Sequence, residues 1–441
     1  MPDALATAFG IVLFVFLIFA SIALHEYGHF ATAKHFGAKV TEYMIGFGPS
    51  LIAKTKGETT YGVKAIPFGG YCRIVGMYPP AQHVDPRSAV ERSGRFSALV
   101  EEARRQSLSE VEPGEESRMF YRLPIHQRII VMMAGPFMNL FLAVVLFSIM
   151  LVGIGLPQPT AQLETVVDCV PSVSNPTGAR PATGGCAVGT ESAAALAGLQ
   201  AGDTFEVVAG QPIDSWDDLT TTLGSESGPT EVTISRGGQQ ITKTVELTTV
   251  DYPVFDDKGQ ATGATTQRTF LGVRPAVEYV GLPLMEVPAY MWDITATSVG
   301  ALFTMPQRLY ELGVTLTTDA QRSPESPVSV VGVSRLGGEI AAADRPLEVK
   351  VGSFLGLAAS LNLFLFLFNL LPILPLDGGH VAAALWEGIR RKFAGWRGRP
   401  DPGPVDTARL LPLTYSVAVV LITVGVMVIW ADIVKPITLG G

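Results

Sequence analysis

Four stretches of this chain are too long and too free of charge to be at ease in water. Residues 4–24, 129–156, 351–376 and 410–431 contain no Asp, Glu, Lys or Arg. A helix needs about 20 apolar residues to cross a hydrocarbon core of about 30 Å, and each stretch is long enough. Four membrane spans are therefore expected. The rest of the composition agrees: only 16% of the 441 residues are charged, where soluble domains have roughly 25%. The first stretch could be a signal peptide, but Asp3 precedes it and no Lys or Arg does, so the basic start of such a peptide is missing. It is read as a retained span. The formal charge of −8 argues against nucleic acid as a partner, because neutralising phosphates takes clustered cations.

Charge also orients the spans. Residues 31–127 contain 13 Lys and Arg against 10 Asp and Glu, and residues 387–409 contain 6 against 3. Residues 157–350 contain 11 against 23. Basic short loops face the cytoplasm. This expectation puts 31–127 and 386–409 inside, and the long acidic segment and both termini outside.

The acidic segment reads as a folded module. Residues 230–235 and 239–247 alternate like a hairpin around Arg236-Gly237-Gly238, and 164–170 is rich in strand formers. Between them lie an Ala-rich helix from Ser192, the turn Gly198-Leu199-x-x-Gly202-Asp203, a strand over 204–208 and a helix from Asp214. That order resembles a PDZ domain, with 268–275 expected as its closing strand. Some other small β-rich domain is the alternative. PDZ domains take extended chain ends by strand addition, although this copy could equally act as a steric gate. Cys169 and Cys186 flank a Pro/Gly/Ser-rich loop on this oxidising side and could pair, whereas Cys72 is expected to be a free thiol. On the inner side, 41–47, 51–54, 60–66 and 71–75 read as short strands between Gly and Pro turns. They form either a plain cytoplasmic hairpin or a loop dipping into the membrane, where protein or a wet cavity must shelter the backbone. Residues 77–124 are polar and poorly patterned, and are expected to form a flexible excursion.

The chemistry sits where charge interrupts apolar sequence. His25-Glu26-Tyr27-Gly28-His29 ends the first span as an H-E-x-x-H. Residues four apart share a helix face, so both imidazoles can grip one metal ion while Glu26 reaches water beside it. Ionisable groups inside a span are costly and mark function by default. A third ligand is needed. His35 stands where some zinc motifs place a third histidine, but Thr32 replaces the glycine that would bend the chain. On a continuing helix His35 points about 80° away from His25, so it is rejected. The third span ends in Asn369-Leu-Leu-Pro372-Ile-Leu-Pro375-Leu-Asp377-Gly378-Gly379-His380. The prolines break the helix, and Asp377 in this apolar setting needs a cation or a role capping the next helix, 381–391. Spans one and three run in the same direction, so Asp377 can meet His25 and His29 at one depth. His380 is assigned to the cap or to support of the ligands.

The H-E-x-x-H in the first span, N-x-L-P-x-x-P-L-D-G-G-H ending a later one and a PDZ-like insert between them resemble the site-2 protease family. The likeness is strongest to bacterial RseP-type and actinobacterial regulated intramembrane proteases. Gly135-Pro136-x-x-Asn139 and Gly46-Phe47-Gly48-Pro49 also match patterns of the family, so the resemblance covers nearly the whole chain. It implies that His25, His29 and Asp377 hold one Zn2+ per chain, that Glu26 is the general base, and that Asn369 contacts the substrate backbone. It implies too that the strands over 40–76 are a membrane-embedded β-loop that pairs with substrate, and that 326–332 helps regulate entry. RseP-type proteins have two PDZ modules and one is found here, so their mode of substrate exclusion does not transfer.

The expected fold is a multi-span α-helical membrane protein with four transmembrane helices, a membrane-associated β-loop and an inserted extracytoplasmic PDZ-like α+β domain. Its parts are span one (1–33), the β-loop and flexible segment (34–127), span two (128–156), the PDZ-like domain (157–282), a regulatory helix and connector (283–350), span three with its L-D-G-G-H (351–385), a cytoplasmic loop (386–409) and span four (410–432). The expected activity is zinc-dependent intramembrane proteolysis of single-span proteins such as anti-sigma factors, in a bacterial cell membrane. The alternatives are a non-enzymatic receptor that binds exported peptides through the PDZ-like domain and, with less support, a metal transporter.

Overall fold

The computed structural model describes residues 2–79, 100–102, 105, 113–170, 186, 191–247, 249–255, 261–318, 320 and 322–437. Most of the expected flexible excursion over 77–124 lies outside these residues. The chain divides into two compact units, one of Met1–Gly153 with Pro283–Gly441 and one of Ile154–Leu282.

In the first unit, helix α1 (Pro2–His35) is followed by strands β1 (Val40–Lys56) and β2 (Thr59–Ile74), then by helix α2 (Ile125–Gly153). After the second unit come its helices α5 (Val287–Thr317), α6 (Val330–Ala342), α7 (Leu347–Asn369), α8 (Asp377–Trp396) and α9 (Leu411–Val434). Four helices are long and apolar enough to cross a membrane: Ala4–His35, Ile125–Gly153, Leu347–Asn369 and Thr407–Val434. These correspond to the four uncharged stretches. The third is shorter than expected. Residues 370–376 are apolar but not helical, because Pro372 and Pro375 withhold amide donors and clash with a preceding turn.

Buried polar connections tie these helices together. Asn362 on α7 donates to the Ser21 hydroxyl on α1 at 3.0 Å. Near the end of α9, Asp432 accepts from Arg322 at 2.7 Å and from the backbone amides of Ser329 at 2.7 Å and Gly332 at 3.2 Å. One carboxylate thus neutralises a buried guanidinium and satisfies donors at the start of α6.

The four short strands expected over 41–75 are present, but as two long strands that each fold back. Tyr43 pairs with both Cys72 and Tyr61, and Tyr61 pairs with both Tyr43 and Lys54. The resulting ribbon runs, side by side, 70–74, 40–45, 60–63, 52–56. Its outer segments are therefore the first and last of these. At the hairpin tip, Glu58 accepts two hydrogen bonds from Arg118 at 2.8 Å each and pairs with Lys34 at 3.2 Å. The Arg118 hydrogen bonds, outweighing partial burial, bring the Glu58 carboxyl down to about 2. A folded-state pKa below the unfolded value, about 4.3, contributes stability that is complete above that value and lost as pH falls through about 2. Amide exchange over residues 54–60 and 113–118, corrected for its intrinsic pH dependence, should thus be level from pH 7 to 5 and speed up between about pH 4.5 and 2. Glu58→Gln should show the faster exchange at neutral pH, and a wild-type profile level down to pH 2 would count against this anchoring.

The second unit is a mixed α+β fold. Its strands are β3 (Leu156–Val166), β4 (Thr204–Val208), β5 (Gln211–Pro212), β6 (Gly228–Arg236), β7 (Gln239–Leu247), β8 (Thr249–Phe255), β9 (Ala261–Thr269) and β10 (Val273–Val280). Its helices are α3 (Ala193–Leu196) and α4 (Trp216–Ser225). The main sheet runs β10-β3-β4-β6-β7, and β8 pairs with β9 apart from it. Leu219 of α4 shares the core with Leu163, Phe205, Ile234 and Leu247. Ser215 and Asp218 start α4 by a reciprocal cap, which holds the first orphan amides. The Gly202-Asp203 turn has an equally specific cause. Asp203 is buried and takes two hydrogen bonds from Arg236 at 2.6 and 2.7 Å and one from the Gln200 amide at 2.8 Å. Burial opposes its ionisation, and Arg236 overcomes that and holds its carboxyl below the usual range.

The closing strand differs from the one expected over 268–275. The chain finishes β9 at Thr269, turns through Gly272 at φ +87° and only then forms β10, which returns along β3 from Val273↔Val166 to Val280↔Leu156. Cys169 and Cys186 form a disulfide, and Cys72 is free.

Candidate metal centre

α1 continues without a break through residues 25–29, so His25 and His29 stand one turn apart on one face. α8 begins at Asp377, after the non-helical turn that ends α7. The turn is tight: a Cβ at Gly378 would lie 2.4 Å from the Leu371 carbonyl oxygen, and one at Gly379 would lie 2.6 Å from the Leu374 nitrogen. Two glycines let the first turn of α8 tuck under the end of α7, which presents Asp377 to α1.

The three side chains converge. His25 Nε2 and His29 Nε2 are 3.2 Å apart, and Asp377 Oδ2 lies 3.3 Å from the first and 3.4 Å from the second. Among the described residues they form the group of His, Cys, Asp and Glu atoms close enough to share an ion. Zn–N and Zn–O bonds of about 2.0–2.1 Å at tetrahedral angles need ligand atoms about 3.3–3.4 Å apart, and the triangle has that size. Asp377 Oδ2 is buried and has no hydrogen-bond partner. Three lone-pair atoms facing one another in apolar surroundings need a cation between them, so the donor set fits zinc.

Two contacts from α2 orient the imidazoles. The Val131 carbonyl lies 2.8 Å from His29 Nδ1 and accepts a hydrogen bond from Nδ1–H, which leaves Nε2 free to ligate. The Asn139 side-chain amide lies 3.2 Å from His25 Nδ1. The atom at that distance is Nδ2, and Asn139 Oδ1 is buried without a partner; turning the amide over puts Oδ1 beside the ring, where it accepts from His25 Nδ1–H and leaves Nε2 free to ligate. α2 comes this close because it meets α1 through glycines. A Cβ at Gly28 would lie 2.4 Å from the Ala134 oxygen, and one at Gly135 only 2.2 Å from His29 Nε2.

Glu26 stands beside the triangle, and the Cys72 backbone amide hydrogen-bonds its carboxylate. A cavity of about 260 Å³ is lined by Glu26 and the three converging residues, with Gly70, Tyr71, Asn369, Pro375 and His380 around them. Its wall includes the 70–74 edge of the ribbon. Asn369 lines it from the last turn of α7 while donating to the Leu365 carbonyl at 3.0 Å. His35 is exposed with its ring against Phe36, outside the group. Nothing read from the sequence assigns chemistry to Gly70, Gly135 or Asn139. The available signal was Asn139 itself, a lone amide in an apolar span.

The fold and the site together define a class: a membrane-spanning protein with a largely buried two-histidine, one-carboxylate group that could hold a metal ion and a second carboxylate beside it. Comparison with known proteins narrows the class. Residues 13–399 match Peptidase family M50. The chain is 34% identical over 437 residues to zinc metalloprotease Rip1 of Mycobacterium tuberculosis, covering 98% of both chains. It is 32% identical to zinc metalloprotease Rip1 of Mycolicibacterium smegmatis, again over 98% of both. Zinc metalloprotease RasP of Shouchella clausii is 25% identical, over 96% of this chain and 98% of the relative. The chain belongs to peptidase family M50, the site-2 protease family of metalloproteases. Its zinc cofactor follows from that membership and from the donor set. The non-enzymatic receptor considered from the sequence gives way to an enzyme.

Proposed function

We propose that the protein is a zinc-dependent intramembrane endopeptidase that cuts the membrane-spanning segments of single-span proteins, anti-sigma factors among them, in a bacterial cell membrane. The observation that carries this reading is the three-atom cation site placed among apolar spans with Glu26 beside it. His25, His29 and Asp377 hold one zinc ion per chain. Zinc bound there supplies Lewis acidity, polarising a scissile carbonyl and drawing the pKa of water towards about 7. Glu26 takes the proton from water and returns it to the leaving nitrogen. Asn369, on the cavity wall, steadies the substrate backbone.

A helical substrate has its carbonyls hydrogen-bonded and wrapped, so it must unwind locally before it can be cut. The ribbon edge over 70–74 lines the cavity and is the element suited to take up such an extended segment by strand addition. The asymmetry of basic residues supports a cytoplasmic position for the ribbon and for 386–409, with both termini and the Ile154–Leu282 unit outside. That unit serves as a PDZ-like domain, supported by the order of short helix, Gly-Leu-x-x-Gly-Asp turn, strand and capped helix. It binds a peptide or screens the approach of substrates still bulky outside the membrane.

The test uses purified full-length protein in lipid nanodiscs with a single-span reporter already trimmed on its outer side. The expected result is about one zinc per chain, cleavage within the span, loss of both on chelation and recovery of both when zinc is returned. A preparation that binds no zinc and never cuts, even after zinc is supplied, would overturn the reading.

A further inference from the structure

α8 leaves the metal centre at Asp377 and continues to Trp396. One side of it faces the body of its unit through Glu387, which is buried and bonded by Arg128 at 3.0 Å and by Arg391 at 3.0 Å. The other side is different. Leu385, Trp386, Ile389, Phe393 and Trp396 are between 47% and 82% exposed. At about 100° per residue these five fall within an arc of about 100°, roughly opposite Glu387 and Arg391. Lys392 borders one edge of the arc, and Arg390 and Arg397 border the other. The Arg397 guanidinium lies 4.2 Å above the Phe393 ring.

We propose that this half of α8 docks on acidic lipid headgroups, in the leaflet where α7 ends and α9 begins. Both ends of the segment lead into apolar spans, so the arc continues a surface already in contact with the bilayer. Two tryptophans with Leu, Ile and Phe on one face and cations along both borders suit a helix lying in a lipid interface. Cations at that depth attract anionic lipids and fall silent in salt. A protein partner or a second copy would cover the apolar arc without regard to lipid charge. Because Asp377 opens the same helix, docking at its far end steadies the carboxylate that faces His25 and His29. The inference rests on the membrane-spanning reading and not on proteolysis.

The test places the full chain in nanodiscs of phosphatidylcholine alone, or mixed with phosphatidylglycerol, and follows amide exchange over residues 385–398. Exchange should be slower by about tenfold or more in the acidic discs, a size set by two or three interfacial cations. About 0.5 M salt should erase the difference. K392Q/R397Q should erase it too, and K392R/R397K should keep it, while exchange across α2 stays the same in all of them. Equal exchange in the two kinds of disc overturns the proposal. If that equal exchange were slow, the arc would be covered by lipid tails or protein indifferent to charge; if fast, by nothing. None of these readouts depends on peptide cleavage, so their failure is separate from failure of the proposed activity.

Discussion

Glu26→Gln should bind zinc as the wild type does and cut a trimmed single-span reporter at least about a thousandfold more slowly, within the range general acid–base catalysis supplies. The two halves of that result have separate causes. Glu26 contributes no atom to the triangle of His25, His29 and Asp377, so the cation site stays whole. Glutamine keeps the shape of the side chain and can still accept from the Cys72 amide, but it cannot take a proton from water near neutral pH. Zinc content by metal analysis and cleavage by gel or mass spectrometry read the two halves independently. Loss of zinc along with activity would make Glu26 a ligand. Near-normal cleavage would place the base elsewhere in the cavity.

Gly135→Ala should be as damaging through a different route. In a helix interior this change ordinarily stabilises, by up to about 1 kcal/mol. Here the added methyl would lie 2.2 Å from His29 Nε2 and 2.8 Å from His25 Nε2, in the space the ligating nitrogens occupy. α2 cannot retreat cheaply, because its next contact with α1, Gly28 against the Ala134 oxygen, is equally close. Zinc stoichiometry and cleavage should both fall to background while helix content by circular dichroism stays near that of the wild type. Gly425→Ala in α9, where a Cβ meets nothing within 4 Å, should leave zinc and cleavage unchanged. Retained zinc in the Gly135 variant would mean that the crossing of α1 and α2 is looser than this geometry.

Much of the architecture was legible because it depends on local pattern. Uncharged runs of more than twenty residues mark spans whatever they pack against. His25 and His29 declare a shared face by spacing alone, and Asp377 stands out as a carboxylate among leucines and prolines. Features that depend on how elements meet were not legible. Apolarity measures compatibility with lipid and not helicity, so residues 370–376 read as part of a span although their prolines end α7 at Asn369. Gly135 in sequence is one small residue among several. Its importance arises only when α2 lies against His25 and His29. Asn139 stands out as a lone amide in an apolar span, but its role is not legible until His25 Nδ1 is beside it. The ribbon's strands were recognisable, but their order side by side was not, since strand pairing is set by bends that propensity does not encode. In the second unit, the turn at Gly272 shifted the last strand past its expected limits.

The glycine-lined crossing of α1 and α2 also constrains how anything reaches the metal. Helices that touch backbone to side chain along a seam cannot part without exposing that seam and pulling the imidazoles from the atoms that orient them, Val131 and Asn139 both being on α2. The three converging side chains are in effect mounted on a fixed wall. The ribbon edge and the turn before Asp377, which also line the cavity, lie outside that crossing.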